Sequence, residues 1–448
     1  MLIEFSVGNY LSFKETVTFS MVAADLGTQT ELDQDNVFQV DNELSLLKSA
    51  AVYGANASGK SNLVKAIGFM RRFVLNSSSR TQITDSIPVD RFRLSTDTEE
   101  QPSFFEIVFS LDKKIYRYGF KLNPQKVVSE WLFYSAKSKE YRYFERKGQN
   151  FEVLKRFPEG ISLESKTRPN ALFLSVAAQF NGKISEQILL WFKRSGVLSG
   201  IGDNLTNAYT LELMDDVEYR QDIISLIRKL DLNINNLLPL KKTVALDIFP
   251  QEVLESLVTM QGRKIEELKD ILEVSIVTMH NKYDSQGKIN STEKFDLDEN
   301  ESEGTKKIFA FAGPILHTLQ QGRVLLIDEL DARLHPLITK TIVQLFNSKE
   351  TNPNNAQLIF MIHDTNLLNR RLFRRDQIWF VEKDRYEATD LYSLVEYELS
   401  DDSSLENDYI KGRYGAIPFI GDIGSFIARD NAGIEKKSKK TEKESLQG

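Results

Sequence analysis

Apolar and polar residues alternate from the start of the chain. Ile3, Phe5 and Val7 are interleaved with Glu4 and Ser6, and Val17, Phe19 and Met21 repeat the pattern after a turn through Asn9 to Lys14. A period of two marks half-buried strands, so an antiparallel pair is predicted. From Gly27 to Asn42 the chain turns polar and acidic, and a loop is expected. Ala51-Val52-Tyr53 then reads as a buried strand. Leu63, Ile67, Met70 and Val74 mark one face of a helix that ends near Asn76 to Ser79. From about Phe92 to Phe157 the period of two returns with many aromatics: Phe105, Ile107 and Phe109, then Tyr116, Tyr118 and Phe120, then Trp131 and Phe133. That period favours aromatics filling one face of a meander over a surface for stacking nucleic-acid bases.

Asn170 to Gln179 is an apolar, strand-like run that ends in glutamine. Residues 184–280 are expected to be mainly helical, with one stripe at Ile184, Ile188, Trp191 and Phe192 and another at Val217, Ile224, Ile227 and Leu230. A flexible polar stretch is expected from Asn281 to Glu301. After it, Ile308, Phe311, Ala312 and Ile315 share one helix face, with a kink predicted near Pro314. Val324 to Ile327 is fully apolar, as strands buried on both faces are, and Gln357 to Ile362 makes another buried strand. Glu435 to Gly448 is rich in lysine and glutamate with little to bury, so disorder is expected there. The expected division is an N-terminal half over 1–180, an inserted helical lobe over 181–290, a C-terminal half over 291–430 and a disordered tail over 431–448.

Composition narrows the class. A chain of 448 residues has room for about three domains, or for one large core with an inserted lobe. At 41% hydrophobic and 27% charged it has the balance of a soluble globular protein, without a membrane-spanning run or a signal peptide. The absence of cysteine excludes disulfides and thiolate metal sites and fits a cytoplasmic location. A net charge of −7 argues against a generally nucleic-acid-binding surface, leaving room for a local basic groove.

The chemistry starts at Gly54. Residues 54–61 fit G-x-x-x-x-G-K-[ST], the phosphate-binding P-loop, between a strand and a helix. Gly54 and Gly59 let the backbone turn so that N–H groups along Asn56, Ala57 and Ser58 meet phosphate oxygens. Lys60 would reach the β- and γ-phosphates, Ser61 would face Mg²⁺, and the positive end of the helix at Asn62 points at the anion. A glycine turn before an ordinary helix is the plain alternative. The strand 324–328 ends in Asp328 and Glu329, as in a Walker B motif. Asp328 would hold Mg²⁺ and Glu329 would act as general base on the attacking water. A core strand before a solvated acidic turn is the competing reading. Ser302 is a good N-cap for the next helix, so Ser302-Glu303-Gly304-Thr305 is either a second anion site or simply a capped helix start. His363, one of four histidines, follows the strand 357–362 and is placed for a γ-phosphate contact, though a lone histidine is more often structural.

These motifs fall in the order of an ABC-type ATPase head, and the chain resembles that group. The loop Gly-Ala-Asn-Ala-Ser-Gly-Lys-Ser-Asn at 54–62 is similar to the SMC/RecF branch. The segments 5–15, 328–336, 375–383 and 412–416 resemble stand-alone bacterial ATPases of the RloA/AbiLi type, found in phage-defence loci and similar to the head of OLD nucleases. The likeness runs over nearly the whole chain, is weakest over 184–290 and excludes the tail. It implies an α/β ABC head, a P-loop NTPase, with an antiparallel β subdomain and an inserted helical lobe. It also implies ATP and Mg²⁺ as ligands and phosphate contacts from Ser302, Gly304 and Thr305 in trans. The heads would form a homodimer or higher oligomer with ATP sandwiched between them, beside a separately encoded effector such as a TOPRIM- or RloB-like nuclease. Gln179 is the candidate Q-loop metal ligand. The signature departs from Leu-Ser-Gly-Gly-Gln at Glu303 and Thr305, which points to slow turnover, and no nuclease motif follows residue 390. A RecF-like ATPase that grips DNA directly, DNA or RNA contact more generally, and a nucleotide-gated scaffold with little turnover are the rivals.

Overall fold

The computed structural model describes residues 1–27, 31–136, 139–200, 204–230, 233–244, 271–399 and 404–418. The tail expected over 431–448 lies outside the described residues. Strands β1 (Leu2–Gly8) and β2 (Val17–Ser20) form the antiparallel pair that their alternation predicts. The stretch expected to be loop holds a short helix, α1 (Glu31–Asp35), and β3 (Val37–Gln39), which pairs with β4 (Ser45–Leu47). β5 (Ser49–Tyr53) leads into the P-loop and α2 (Lys60–Asn76). β6 (Ser103–Leu111), β7 (Lys114–Leu122), β8 (Val127–Ala136), β9 (Lys139–Lys147) and β10 (Asn150–Val153) then run as a meander. With β1 and β2 they complete a seven-stranded antiparallel sheet in the order β10-β9-β8-β7-β6-β1-β2. Its aromatics are core: Phe105, Phe109, Tyr118 and Phe120 are buried in one cluster with Phe69 and Phe73 of α2.

The next region corrects four expectations. The run ending at Gln179 is a helix, α3 (Phe173–Gln179), and not a strand. It lacks a side-chain cap of its own, and the remote Glu130 carboxylate supplies one by accepting from Phe173 N at 2.7 Å and Leu174 N at 3.0 Å. Within the expected helical lobe, α4 (Lys183–Arg194), α5 (Asn204–Leu213) and α6 (Val217–Lys229) are helices, whereas β11 (Gly196–Ser199) joins the central sheet beside the Asp328 strand. The stripe on α6 also shifts: Val217 is exposed, and Ile223 and Leu226 are buried. Beyond α6 the described residues of the lobe form a three-stranded antiparallel sheet of β12 (Asn236–Val244), β13 (Ile271–Tyr283) and β14 (Ile289–Asp296) where helix was expected, and the expectation over 245–270 lies outside the described residues. The stretch expected to be flexible from Asn281 is therefore mostly ladder. β14 exposes both of its faces, so alternation, the usual strand signal, is absent from it.

The chain returns through α7 (Leu297–Asn300) and α8 (Glu303–Gln321), the helix with the internal Pro314. Thr210 Oγ1 donates at 2.8 Å to Ala310 O, the carbonyl that the proline leaves without its N–H partner. β15 (Val324–Asp328), α9 (Pro336–Asn347), β16 (Gln357–Met361), β17 (Ile378–Lys383), β18 (Thr389–Ser393) and α10 (Leu405–Ile410) follow. The central sheet has the order β11-β15-β16-β5-β17-β18, with β18 antiparallel and the other strands parallel. One face, with Val52, Leu326 and Met361, packs on α2 and the antiparallel sheet; the other, with Ala51, Ile327 and Phe360, packs on α8 and α9. No helix among the described residues is long and apolar enough to cross a membrane.

Candidate functional site

Parallel strands finish at one edge of their sheet, and that edge is where α/β proteins hold ligands. Here it carries the loop from Gly54 after β5, Asp328 and Glu329 at the end of β15, and His363 after β16. The P-loop backbone needs its glycines. Gly59 has φ +117°, and a Cβ there would lie 2.5 Å from Thr389 Oγ1; at Gly54 it would lie 2.3 Å from Val381 O. Asn56 and Ala57 are exposed and Ser58 is buried. The N-terminus of α2 has no side-chain cap, which leaves its first N–H groups facing the loop.

Lys60 is buried, and its Nζ donates to Gly54 O at 2.6 Å and Ala55 O at 2.9 Å. Burial lowers its pKa to about 8, against the opposing pull of Asp328, Asp331 and Glu329. The carboxylates of Asp328 and Asp331 act on this ammonium, each with a buried Oδ1 that has no hydrogen-bond partner, and the buried Ser58 Oγ beside Gly54 is without one too. Buried polar groups are otherwise almost always paired, so such a concentration marks a place built for a ligand. The second Asp331 oxygen accepts from His363 N at 3.0 Å and Asp364 N at 2.8 Å, tying the turn after β15 to the turn after β16. Glu329 has φ +53°, a left-handed conformation uncommon outside glycine. Its carbonyl is held by Lys307 Nζ at 3.0 Å, which also donates to Ala332 O at 2.6 Å. His363 is exposed at its surface side, yet partial loss of water around the ring and then Lys60 lower its pKa, against the carboxylates of Asp331, Glu329 and Asp328, which favours the neutral imidazole.

The residues fit a divalent cation. Among the described residues there is no group of three or more His, Asp or Glu placed to hold a metal. Mg²⁺ does not need one, because it is bound through one or two protein oxygens plus phosphates and water. Asp328 Oδ1, buried without a partner, and the half-buried Ser61 supply that minimum.

Two predicted groups stand apart. Ser302 is the N-cap of α8: its Oγ accepts from Thr305 N at 3.1 Å and lies 2.9 Å from Thr305 Oγ1, so Thr305 is turned inward and buried. Ser302 is exposed, and Gly304 lies against Arg333, whose carbonyl a Cβ there would meet at 2.9 Å. Among the described residues no hydrogen bond or ion pair joins Ser302, Gly304 or Thr305 to the P-loop. Gln179 is not at the site. It is exposed on α3, which packs at the far end of α2, where Ser175 Oγ donates to Val74 O at 2.6 Å. With 17 residues in α2, that end is roughly 25 Å from the P-loop. The metal-ligand expectation for Gln179 fails because the run before it is helical.

Four residues without a sequence-assigned role enter the site. Ser12 Oγ accepts from Asn62 Nδ2 at 2.7 Å and is bonded to Thr389 Oγ1 at 2.7 Å, while Thr389 Oγ1 lies 2.9 Å from Ser58 O. Asp331 and Lys307 join the turns as described. Lys307 alone left a signal: a lysine one turn before Phe311 on a buried helix face, with its Nζ 5.1 Å from that ring.

No curated protein matches the chain. Among solved structures it is similar to the SMC head domain from Thermotoga maritima, at 12% identity and a TM-score of 0.39, over 89% of this chain and 99% of that one. It is also similar to the Smc head domain with an extended coiled coil bound to the C-terminal domain of ScpA, derived from Pyrococcus furiosus. That likeness is 12% identical with a TM-score of 0.37, over 92% of this chain and 98% of that one. A family profile described as "AAA domain, putative AbiEii toxin, Type IV TA system" matches residues 49–369, from β5 through the P-loop and the Asp328-Glu329 strand to beyond His363. The strand order and the P-loop identify an α/β P-loop NTPase fold, and the chain belongs to that AAA family as a nucleotide-binding ATPase domain.

Proposed function

We propose that the chain is an Mg²⁺-dependent ATPase that pairs with a second copy over bound ATP, turns over slowly, and licenses a separately encoded effector, a nuclease, in defence against phage. One observation carries the nucleotide part: the partnerless polar atoms of Ser58, Asp328 and Asp331 gathered around Lys60 at the end of the parallel strands. Mg²⁺, when bound, supplies neutralisation of charge on the phosphate oxygens. Ser61 and Asp328 would hold it. Lys60 exchanges the Gly54 and Ala55 carbonyls for phosphate oxygens, and neutral His363 donates to the γ-phosphate. Glu329 takes the proton of a water whose oxygen bonds to the γ-phosphorus as the bond to the β–γ bridging oxygen breaks and ADP leaves.

Pairing is supported by the exposure of Ser302, at a helix start that makes no hydrogen bond to the P-loop of its own subunit among the described residues. Two-fold symmetry would let each copy complete the site of the other. The effector rests on the resemblance to RloA/AbiLi-type ATPases. Lys60→Ala should weaken ATP binding, and unchanged affinity by calorimetry would sink the reading of residues 54–61. Ser302→Arg should bind ATP yet lose both ATP-driven dimerisation and hydrolysis. A Ser302→Arg chain that stays monomeric in light scattering but keeps full activity would mean that one subunit suffices.

A further inference from the structure

On the sheet edge away from β18, the strand β11 borders a pocket of about 290 Å³ that the nucleotide chemistry does not use. Arg71, Lys193, Arg194, Arg323, His317 and Tyr209 line it, and no carboxylate does. In a chain with net charge −7 this is a local reversal of sign. The adjoining cleft, which shares Arg194 and Arg323, adds Lys113 and a single acid, Asp112.

Helix ends account for only part of the charge. Arg71 Nε donates to Phe192 O at 2.9 Å and its terminal nitrogen to Lys193 O at 3.1 Å, so the last carbonyls of α4 already have their cation. Arg194 and Arg323 are left over. Among the described residues no hydrogen bond or ion pair holds either guanidinium. Arg323 is half-buried, and burial first, then Arg194, lower its pKa while Tyr209 and Tyr219 oppose. A guanidinium kept partly out of water beside a second one, with no acid between them, is a standing cost that a bound anion removes. His317 adds a donor: its Nδ1 is hydrogen-bonded to Tyr209 Oη, which leaves Nε2 for a ligand. The rest of the wall is apolar, from Leu198 and Pro314, and the Tyr209 and His317 rings stack at 5.8 Å.

We propose that this pocket binds a small phosphorylated molecule, its phosphate held by Arg194 and Arg323 and its body against Tyr209 and Pro314. Cationic donors on one side and an apolar, aromatic wall on the other suit a phosphate ester better than a bare anion. The volume is close to the ~300 Å³ lower bound of small-ligand pockets. Being separate from the P-loop, the site stands or falls independently of the function proposed above.

The test is calorimetric titration of the full chain with pyrophosphate and with adenosine 5′-monophosphate. Wild type, Lys60→Ala and the double variant Arg194→Gln/Arg323→Gln are compared, with a 5′-phosphorylated oligonucleotide as a third probe. Binding of adenosine 5′-monophosphate should survive Lys60→Ala and weaken about tenfold or more in the double variant, as expected for loss of charge-assisted hydrogen bonds. The double variant should still bind ATP at the P-loop, which shows that it is folded; if it does not, the exposed Arg194→Gln alone should show the weakening. Loss of all binding in Lys60→Ala, or equal binding with and without the arginines, overturns the site. An oligonucleotide that binds when neither small probe does overturns the assignment to a small molecule.

Discussion

The two large sheets bury charge in opposite ways. In the antiparallel sheet Glu130 and Arg146 are both fully buried, 3.5 Å apart, and neither is short of partners. Glu130 accepts from Tyr118 Oη and from the first N–H groups of α3, while Arg146 donates to the carbonyls of Gly148 at 2.8 Å and Ala171 at 2.6 Å. Burial pushes the Glu130 carboxyl up, and Arg146 and these hydrogen bonds oppose it. In the parallel sheet Lys60 sits among Asp328, Glu329 and Asp331, and carboxylate oxygens there are left open. A satisfied buried network holds a fold together; an unsatisfied one is stability forgone for a ligand. The contrast separates keystone from site without reference to any motif.

That contrast can be broken by mutation. Glu130→Ala strands the Arg146 charge and uncaps α3, and should cost about 3–5 kcal/mol by chemical denaturation. Asp328→Asn should leave the nucleotide-free protein close to wild-type stability, within about 1 kcal/mol, because Asp328 Oδ1 makes no hydrogen bond that the substitution would break and Asp331 and Glu329 remain beside Lys60. Equal losses in the two would erase the distinction. Glu329→Gln keeps the shape of the turn, so ATP should still bind while hydrolysis falls by roughly 10²-fold or more. Turnover at the wild-type rate would pass the role of base to another residue, with His363 the first to examine.

Next in size is a pH effect. Lys60 has its folded pKa lowered to about 8 from 10.5, so its charged form is the one that burial penalises. Between those values the unfolded chain holds more protons, and this lysine's destabilising contribution fades as pH rises. ATP binding runs the other way, since it needs the ammonium. Affinity should fall as pH rises through about 8, approaching tenfold per unit, with a proton taken up on binding. Calorimetry at pH 8.5 in buffers of different ionisation enthalpy measures that uptake, and none would mean Lys60 is charged in the free protein. The smallest change is Ser12→Ala, which removes a shared partner of Asn62 and Thr389. It should weaken ATP by about 1 kcal/mol, the worth of one hydrogen bond, with no change in the rate of the chemical step. A rate that drops with unchanged affinity would move Ser12 from loop support to catalysis.

What the chain announces by itself is what local chemistry decides. The P-loop needs glycine at Gly54 and Gly59 because no Cβ fits, so the motif is legible wherever it stands. The stretches 324–327 and 358–361 show as unbroken apolar runs because both of their faces are covered. The Ser302 cap and the Pro336 helix start obey rules that span a single turn. Whatever depends on a distant partner stayed hidden. The run before Gln179 is equally apolar as strand or helix, and only Glu130, brought across from β8, supplies the acceptors that make it α3 and carry Gln179 away from the site. Strand β14 has no apolar face to betray it, and it exists because β13 offers a ladder. Asp331 and Ser12 are ordinary polar residues in sequence. The fold alone brings two turns and a hairpin around one lysine, and so makes them part of the site.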